Sequence, residues 1–279
     1  MRSILSYINK AQVKTHPFPH VIIRDILPMD LVNRLIVEFP SGELILDRKP
    51  PGDNKRFDYI IEQVRKQGGV SELWHEFVEA QVSDDFWNDF LRLFGDEVRR
   101  RYPELEIILG DLAKARRGIR YVDEYDQADV LQDCHISINT PCLSGGTQVR
   151  SAHVDDPKKL YAGLLYLRPD DDDSTGADLL LYKYKNGVRP KFFGQQIKEK
   201  YLESVDKVEY KKNIFIFFLN SLDSLHGVTA RAVTPHTRKF VNLVAEVREP
   251  IFDIKSVQEN IWIRRLRAYT GWRKGFENR

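Results

Sequence analysis

The stretch VRSAHVDD, from Val149 to Asp156, and the later stretch NSLDSLHGV, which contains His226, determine how the rest of the chain is interpreted. In an extended strand, residues two apart point to the same face, so His153 and Asp155 can reach one point in space. If the fold brings His226 to that point, two imidazoles and one carboxylate form a facial triad, which binds Fe(II) and leaves the opposite coordination positions open. We therefore predict a catalytic metal site at these three side chains.

A His-x-Asp pattern alone also occurs on ordinary solvent-facing strands, so the sequence around it matters. A turn-rich link follows His226 and leads into an apolar run that is typical of a buried strand. Arg238 stands at the start of this run, 12 residues after His226. This context favours the metal interpretation.

The region from about Leu131 to Val247 resembles the Fe(II)/2-oxoglutarate-dependent oxygenases, in particular their prolyl-hydroxylase-like branch. The resemblance is carried by the His-x-Asp pattern, the strand GADLLLY that begins at Gly176, the run NIFIFF that leads to His226, and the segment TRKF that contains Arg238. Many relatives have two glycines where this chain has Gly176 followed by alanine, which is a departure from the pattern.

The resemblance implies that His153, Asp155 and His226 bind Fe(II) and act in catalysis. It also implies that Arg238 pairs with the distal carboxylate of 2-oxoglutarate. A guanidinium agrees with that role because its planar fork of donors matches a carboxylate.

Other side chains are candidates for the same pocket. Asn139 and Tyr121 are candidates for binding the co-substrate, and Arg150 and Arg231 are candidates for binding the substrate. For Arg231, which follows closely on the metal strand, a surface salt bridge is an equally open interpretation.

The resemblance implies oxidation of 2-oxoglutarate to succinate coupled to hydroxylation of an unactivated carbon, with ascorbate as a candidate reductant. Asp155 favours hydroxylation over halogenation, because halogenases of this group have a small residue in its place. We expect a small metabolite or sugar-like substrate, anionic compounds included, since no peptide-binding module is evident. The alternatives are a prolyl-type hydroxylase of protein or peptide side chains and a non-catalytic metal-binding sensor module of the same fold.

Length and composition place the chain among globular proteins. It has 279 residues, 42% of them hydrophobic, and a net charge of +2, so it can bury a substantial core, and no nucleic-acid partner is expected. Two cysteines, Cys134 and Cys142, are too few for a disulfide framework and are predicted to be packed thiols. Neither a signal peptide nor an apolar run of the ~18 residues that span a membrane is present, so a cytoplasmic location is expected.

The predicted fold is α+β, with a double-stranded β-helix, or jelly-roll, as its core. Short strands separated by turn signals dominate from about residue 117, which is typical of a sandwich or barrel. We predict a strand and helical support region (1–116), the jelly-roll Fe(II)/2-oxoglutarate core (117–249) and a basic helical C-terminal tail (250–279), all in one compact unit. Within the first region, amphipathic patterns predict helices over 28–40, 71–81 and 83–95, packed on the back of a sheet.

Three charged segments carry further predictions. The run Asp170–Asp173 predicts a solvated hairpin loop rather than a site for a hard cation. The segment Lys183–Lys212 is a candidate for a substrate-covering loop, with an ordinary connecting loop as its rival. The tail 250–279 has seven Lys or Arg residues against three acids, and a capping-box pattern at Ser256 predicts a helix. Its basic face is expected to be solvated, with an anionic substrate, a carrier protein or a membrane surface as alternative partners.

Overall fold

The computed structural model describes residues 1–148, 150–187 and 189–254 of the chain. In this part the protein contains both helices and sheets, which confirms the predicted α+β class. The predicted helix of the tail, and the partners predicted for it, fall on residues 255–279, which lie outside the described residues. No helix in the described part of the chain is long and apolar enough to cross a membrane.

The strands fall into two sheets. In chain order they are β1 (His20–Arg24), β2 (Arg56–Tyr59), β3 (Arg117–Ile119), β4 (Val130–Asn139), β5 (Lys159–Tyr166), β6 (Leu179–Tyr184), β7 (Leu202–Val208), β8 (Ile214–Leu219), β9 (His226–Val228) and β10 (Arg238–Val247). The large sheet has the order β1-β8-β5-β10-β4-β2, with β3 beside β4, and the small sheet has the order β7-β6-β9. The pairs are antiparallel except for β3 with β4. Two strands of the N-terminal region, β1 and β2, thus complete the large sheet.

The α-helices precede most of the sheet in the chain. They are α1 (Met29–Val37), α2 (Gly42–Leu46), α3 (Ile61–Gln67), α4 (Glu72–Ala80), α5 (Asp84–Arg101) and α6 (Pro103–Leu109). Helices α4 and α5 lie where the sequence predicts helices, and serines begin both. The side chains of Ser71 and Ser83 accept hydrogen bonds from backbone N–H groups of the first turn, which satisfies donors that a helix leaves free.

The two faces of the large sheet bury different apolar clusters. On the helix side, Phe90 of α5 packs with its ring centroid 4.9 Å from that of Tyr161 on β5 and 6.1 Å from that of Phe217 on β8. On the other side, Phe218 and Phe240 share a second cluster with Leu181 and Val208 of the small sheet. The space between the sheets is therefore separate from the helix-side core.

The structure differs from the sequence prediction in the segment after β3. The sequence predicts short strands from about residue 117, among them one over Ile119–Val122, but β3 ends at Ile119, and Tyr121 follows with φ 66°. The carboxylate of Asp123 accepts a hydrogen bond from the backbone N–H of Ile119 at 2.6 Å, and this contact closes a turn in place of the strand.

The acidic loop after β5 is also less solvated than predicted. Asp172 is 5% exposed. Its backbone carbonyl accepts a hydrogen bond from Nε of Arg168 at 2.9 Å, and its Oδ1 accepts one from the backbone N–H of Ser174. Asp172 thus stabilises the loop from within.

Gly176, just before β6, occupies a position that only glycine fits. Its φ is +80°, and a Cβ there would lie 2.0 Å from the carbonyl oxygen of Ala230. The next residue, Ala177, replaces the second glycine of many relatives and adopts φ 61°. The chain therefore keeps glycine at the position where the backbone contact is closest and accepts strain at the next.

We predict that Gly176→Ala lowers the free energy of unfolding by about 3 kcal/mol, because a steric clash adds to left-handed backbone strain. The matched control is Gly68→Ala, since Gly68 has φ +65° and no atom of the described residues lies within 4 Å of its Cβ position. That control should lose less than Gly176→Ala, because its loss comes from backbone strain alone. Urea unfolding of both variants measures the difference, and equal losses would contradict the proposed close contact.

Candidate metal centre

The backbone brings the two predicted histidines side by side. The backbone N–H of His153 donates to the carbonyl of His226 at 2.9 Å, and the N–H of His226 donates to the carbonyl of His153 at 3.0 Å. Residues that exchange both hydrogen bonds across an antiparallel pair present their side chains on the same face. The ring centroids of His153 and His226 are accordingly 4.2 Å apart.

Asp155 completes the group, two residues beyond His153 on the same extended segment. One ligand atom from each of His153, Asp155 and His226 lies within 4.8 Å of the others. Within residues 1–148, 150–187 and 189–254, this is the group of histidine, cysteine and acidic side chains with the geometry to hold a metal ion. The acidic run after β5 does not form such a group.

Gly227 permits the close approach of β9 to the metal strand. A Cβ at Gly227 would lie 3.0 Å from the backbone nitrogen of Ala152, a contact tighter than side chains ordinarily make. Glycine immediately after His226 therefore lets the two segments pair at the position where both imidazoles meet.

Hydrogen bonds fix the tautomer of both imidazoles. Nδ1 of His153 donates to the carbonyl of Ser151 at 2.7 Å, and Nδ1 of His226 donates to the carbonyl of Ser224 at 2.9 Å. Since a carbonyl can only accept, each Nδ1 carries the proton, and each Nε2 keeps its lone pair for a metal. A second hydrogen bond of this kind is usual for histidine ligands.

The electrostatic environment keeps the ligands in their metal-binding forms. Burial lowers the pKa of His153 to about 2 and also lowers the pKa of His226, so both rings are neutral at pH 7. Burial raises the pKa of Asp155, but the neighbouring cations outweigh it and hold this pKa well below its ordinary value. Nζ of Lys159 and Nη1 of Arg150 lie 3.7 Å and 3.1 Å from its Oδ1. Two neutral imidazoles and one carboxylate suit Fe(II), so these residues fit the metal that the resemblance implies.

The segment from Phe192 to Ile197 borders the site. The backbone N–H of Val154 donates to the carbonyl of Gln195, and the N–H of Ile197 donates to the carbonyl of Ala152, each at 3.0 Å. This part of the predicted substrate-covering segment Lys183–Lys212 therefore pairs with the metal strand itself.

Arg150 lies between that segment and the metal ligands. One nitrogen of its guanidinium donates to Asp155, and the other donates to the side-chain oxygen of Gln195. The structure thus places Arg150 beside the metal carboxylate, where it holds Asp155 in position. Its predicted contact with a substrate stays a prediction.

Arg238 lies in a polar pocket between the sheets. It is 4% exposed, and its guanidinium lies 4.8 Å from the ring centroids of Tyr166 and Phe240 and 5.1 Å from that of Tyr210. Nη1 donates to Oδ1 of Asn139 at 3.2 Å. The side chains of Arg238 and Asn139 are therefore in contact, as expected if both bind the same ligand.

Several donors of this pocket are not satisfied. Among the described residues, Nε and Nη2 of Arg238, Nδ2 of Asn139 and the hydroxyl of Tyr166 are buried without a well-formed hydrogen bond. Buried donors are normally paired, and these four, two of which belong to a guanidinium, suit an anionic acceptor with several lone pairs. The pocket thus fits a carboxylate, as the resemblance implies for 2-oxoglutarate. Tyr166 was not predicted from the sequence, although its position on β5, four residues from Ala162, places it on the inner face.

The two remaining predicted residues lie elsewhere. Arg231 is 1% exposed, and its guanidinium donates to the backbone carbonyls of Thr140 and His236 at 3.1 Å and 2.7 Å. It is therefore not on the surface, and the interpretation as a surface salt bridge is wrong. Tyr121 is 59% exposed, and the guanidinium of Arg120 lies 4.5 Å from its ring centroid. The structure does not bring Tyr121 into contact with Arg238.

Solved structures to which the chain is similar include prolyl 4-hydroxylases and an α-ketoglutarate-dependent carbocyclase. A prolyl 4-hydroxylase of Phytophthora capsici has a TM-score of 0.50 at 16% sequence identity, over 88% of this chain and 64% of that one. A prolyl-4-hydroxylase of Pseudomonas putida has a TM-score of 0.43 at 14% identity, over 88% of this chain and 100% of that one. The non-haem α-ketoglutarate-dependent carbocyclase SnoK from nogalamycin biosynthesis has a TM-score of 0.48 at 12% identity, over 88% and 87% of the two chains.

These similarities concern the fold. The chain spans 64% of the length of the Phytophthora capsici hydroxylase, and at 16% identity the match establishes a shared architecture only. No protein-family model matches the sequence, and no curated protein matches it. The resemblance to the Fe(II)/2-oxoglutarate-dependent oxygenases is therefore confirmed at the level of the fold.

We predict that His153→Ala lowers the affinity of the whole chain for Mn(II) at least about 100-fold, because even the loss of a partner of a metal ligand costs 10–100-fold. His75→Ala is the matched control, since His75 is an exposed histidine on α4. Isothermal titration of both variants with Mn(II) compares them. Equal affinity of His153→Ala and the unchanged chain would contradict the metal assignment.

Proposed function

We propose that this chain is an Fe(II)- and 2-oxoglutarate-dependent dioxygenase that hydroxylates an unactivated carbon of a small molecule. The observation that carries the proposal is the convergence of His153, Asp155 and His226 between the sheets, on the side where Arg238 is buried with unpaired donors. The metal group alone fits other iron enzymes, and the cationic pocket alone fits other anions. Together they fit a metal and a dicarboxylate bound in one cavity.

The strand order supports the more specific fold assignment, a double-stranded β-helix. Along the chain, β4, β5, β8 and β10 belong to the large sheet, and β6, β7 and β9 belong to the small sheet, which residues 152–154 extend beside β9. The chain therefore passes between two facing sheets and places its metal-binding segments on one of them. We propose that this arrangement is the predicted jelly-roll.

Each proposed ligand has a defined task. Nε2 of His153, Nε2 of His226 and the carboxylate of Asp155 would hold Fe(II), and Arg238 with Asn139 and Tyr166 would hold the distal carboxylate of 2-oxoglutarate. When bound, Fe(II) would supply oxidative chemistry with dioxygen as the oxidant: 2-oxoglutarate would lose carbon dioxide and take one oxygen atom to become succinate, and the substrate carbon would take the other.

The protein contributes orientation and exclusion of water. Phe218 packs with its ring 4.9 Å from that of His226, and Phe18 packs at 5.8 Å from Phe218, so apolar rings border the metal side. Such rings exclude water, and electrostatic contacts inside the site are stronger where water is excluded. The ascorbate requirement and the small-molecule substrate belong to the proposal as well.

We predict that the chain with Fe(II) and ascorbate converts 2-oxoglutarate to succinate, faster when a mixture of small metabolites is added. Asp155→Ala should abolish this turnover, since it removes the anionic ligand. Succinate is measured by mass spectrometry. Turnover that survives in Asp155→Ala would contradict the site. A complete lack of turnover in the unchanged chain, even with a broad metabolite extract, would favour the non-catalytic sensor module, and stimulation by a proline-containing peptide alone would favour the peptide hydroxylase.

We predict that Arg238→Lys raises the KM for 2-oxoglutarate about 10–100-fold, because a charge-assisted hydrogen bond contributes about 1.5–3 kcal/mol. Tyr166→Phe should raise it to a smaller extent. Tyr161→Phe is the matched control, because Tyr161 lies on the same strand but faces the helix-side core, where its hydroxyl accepts from Gln132 at 3.2 Å. Steady-state rates at varied 2-oxoglutarate give the comparison. Equal effects of Tyr166→Phe and Tyr161→Phe would show that the hydroxyl of Tyr166 does not face the co-substrate.

A further inference from the structure

A group of polar side chains lies on the inner face of the large sheet, and neither the proposed metal ligands nor the proposed 2-oxoglutarate pocket uses it. It consists of Asp58 on β2, of Asp133, His135 and Ser137 on β4, and of Asn242 on β10. We call this group the polar strip. All of its members except Asp58 are buried.

The polar strip faces the space that contains the metal ligands. Along β4, its residues alternate with Cys134 and Ile136, which belong to the helix-side core, so they point to the opposite face. Asp133 lies opposite Val244 on β10, and that row continues through Ala162 on β5 to Phe218 on β8. On β8, the ring of Phe218 contacts His226.

The spacing suits one small molecule. Neighbouring strands are about 4.8 Å apart, so β4 and β8 lie roughly 14 Å from each other across the sheet. A ligand held at the polar strip can therefore extend toward the metal ligands that stand over β8. A small molecule is therefore long enough to contact both the polar strip and the metal.

Each carboxylate of the polar strip is held through one oxygen. Oδ1 of Asp58 accepts from Nε of Arg56 at 2.8 Å and from the hydroxyl of Ser137 at 2.5 Å. Oδ1 of Asp133 accepts from the backbone N–H of Ile61 at 3.3 Å. The second oxygen of both acids is turned toward His135, 4.0 Å from its Nδ1 for Asp58 and 2.9 Å from its Nε2 for Asp133.

Two of these atoms are left unsatisfied. Oδ2 of Asp133 and Nε2 of His135 are close but not aligned for a hydrogen bond, and within the described part of the chain neither has another partner. Asp133 is 1% exposed and His135 is 6% exposed. A buried carboxylate oxygen without a donor is unfavourable, so this position calls for a ligand that brings donors.

The charged groups around the polar strip indicate whether that ligand is a cation or an anion. Asp58 and Asp133 contribute two negative charges, and the guanidinium of Arg56 offsets one of them. The next charged groups on this side, Arg120 and Glu246, neutralise each other with 2.9 Å between Nε and Oε2. With an uncharged imidazole at His135, which lies between the two carboxylates, one negative charge is left over, and a cationic ligand completes the balance.

Tyr121 lies at the solvent end of the polar strip. The backbone N–H of Arg120, the preceding residue, donates to the carbonyl of Gln132 at 3.0 Å, so Tyr121 follows a residue that pairs with β4 next to Asp133. Since Tyr121 is 59% exposed, it marks a side on which a small molecule can enter.

We infer that the polar strip binds the substrate through a primary ammonium group, so that the substrate of this chain is a small amine. The inference rests on the proposed function, because it takes the polar strip and the metal as the two ends of one substrate site. An ammonium group brings three donors and one positive charge. Its acceptors are Oδ2 of Asp133, Oδ2 of Asp58 and the side-chain carbonyl of Asn242.

The test compares amines with alcohols of the same shape. The probes are D-glucosamine with D-glucose, cyclohexylamine with cyclohexanol, and 1,4-diaminobutane with butane-1,4-diol. Isothermal titration measures their binding to the whole chain, both metal-free and loaded with Zn(II) and 2-oxoglutarate, which supports no turnover. At least one amine should bind 10-fold or more tightly than its alcohol.

Variants then locate the binding. Asp133→Asn keeps an oxygen for the N–H of Ile61 but removes the charge, and it should weaken the amine at least 10-fold and the alcohol less than 2-fold. Asp58→Asn is a second variant with the same expected result. It replaces Asp133→Asn if thermal unfolding shows that Asp133→Asn does not fold. Asp96→Asn, an exposed acid on α5, is the control and should change neither ligand.

The outcomes separate this inference from the proposed function. Equal binding of amines and alcohols, tighter binding of alcohols, no binding by any probe, or an amine affinity that both strip variants leave unchanged would each overturn the inference. The proposed function fails on a different result, the absence of metal binding or of succinate formation. Amine binding to the metal-free chain would still support the polar strip in that case.

Discussion

The site depends on one backbone contact, the pair of hydrogen bonds that His153 and His226 exchange across the bridge between the metal strand and β9. These residues are far apart in the chain, and no local preference brings them together. Because the two residues are directly opposite, their imidazoles face the same side, and the alternation along the strand sends Asp155 there too. Gly227 removes the side chain that would hold the two segments apart. If the bridge shifted by one residue, one imidazole would point to the other face.

Burial sets the protonation states of the side chains that this contact brings together. The same desolvation that lowers the pKa values of both histidines keeps their Nε2 lone pairs free, and nearby cations keep Asp155 ionised. Arg238 is likewise buried among aromatic rings, with donors that the described residues do not satisfy. Buried polar groups without hydrogen-bond partners are unfavourable for folding, and they are retained at sites where a bound ligand provides the missing partners. The cationic pocket around Arg238 is of this type.

Much of the site could be predicted because its signals are local. His-x-Asp is a two-residue spacing, and the serine caps that begin α4 and α5 are recognisable from a few residues. Tyr166 and the polar strip were missed because β4 and β5 are almost completely buried, and a mixture of polar and apolar residues in a strand does not reveal which face meets a cavity. The surface interpretation of Arg231 failed for a related reason, since its partners are the backbone carbonyls of Thr140 and His236, and a contact with a carbonyl leaves no trace in the sequence. The pairing of residues 192–197 with the metal strand is a long-range contact of a charged loop and was equally invisible.

The most direct measurement is anomalous X-ray diffraction from crystals grown anaerobically with Fe(II) and 2-oxoglutarate. The account predicts one iron peak in contact with Nε2 of His153, Nε2 of His226 and the carboxylate of Asp155, with 2-oxoglutarate extending from the iron to Arg238. An iron peak at other residues, or a triad without iron at saturating metal, would contradict it.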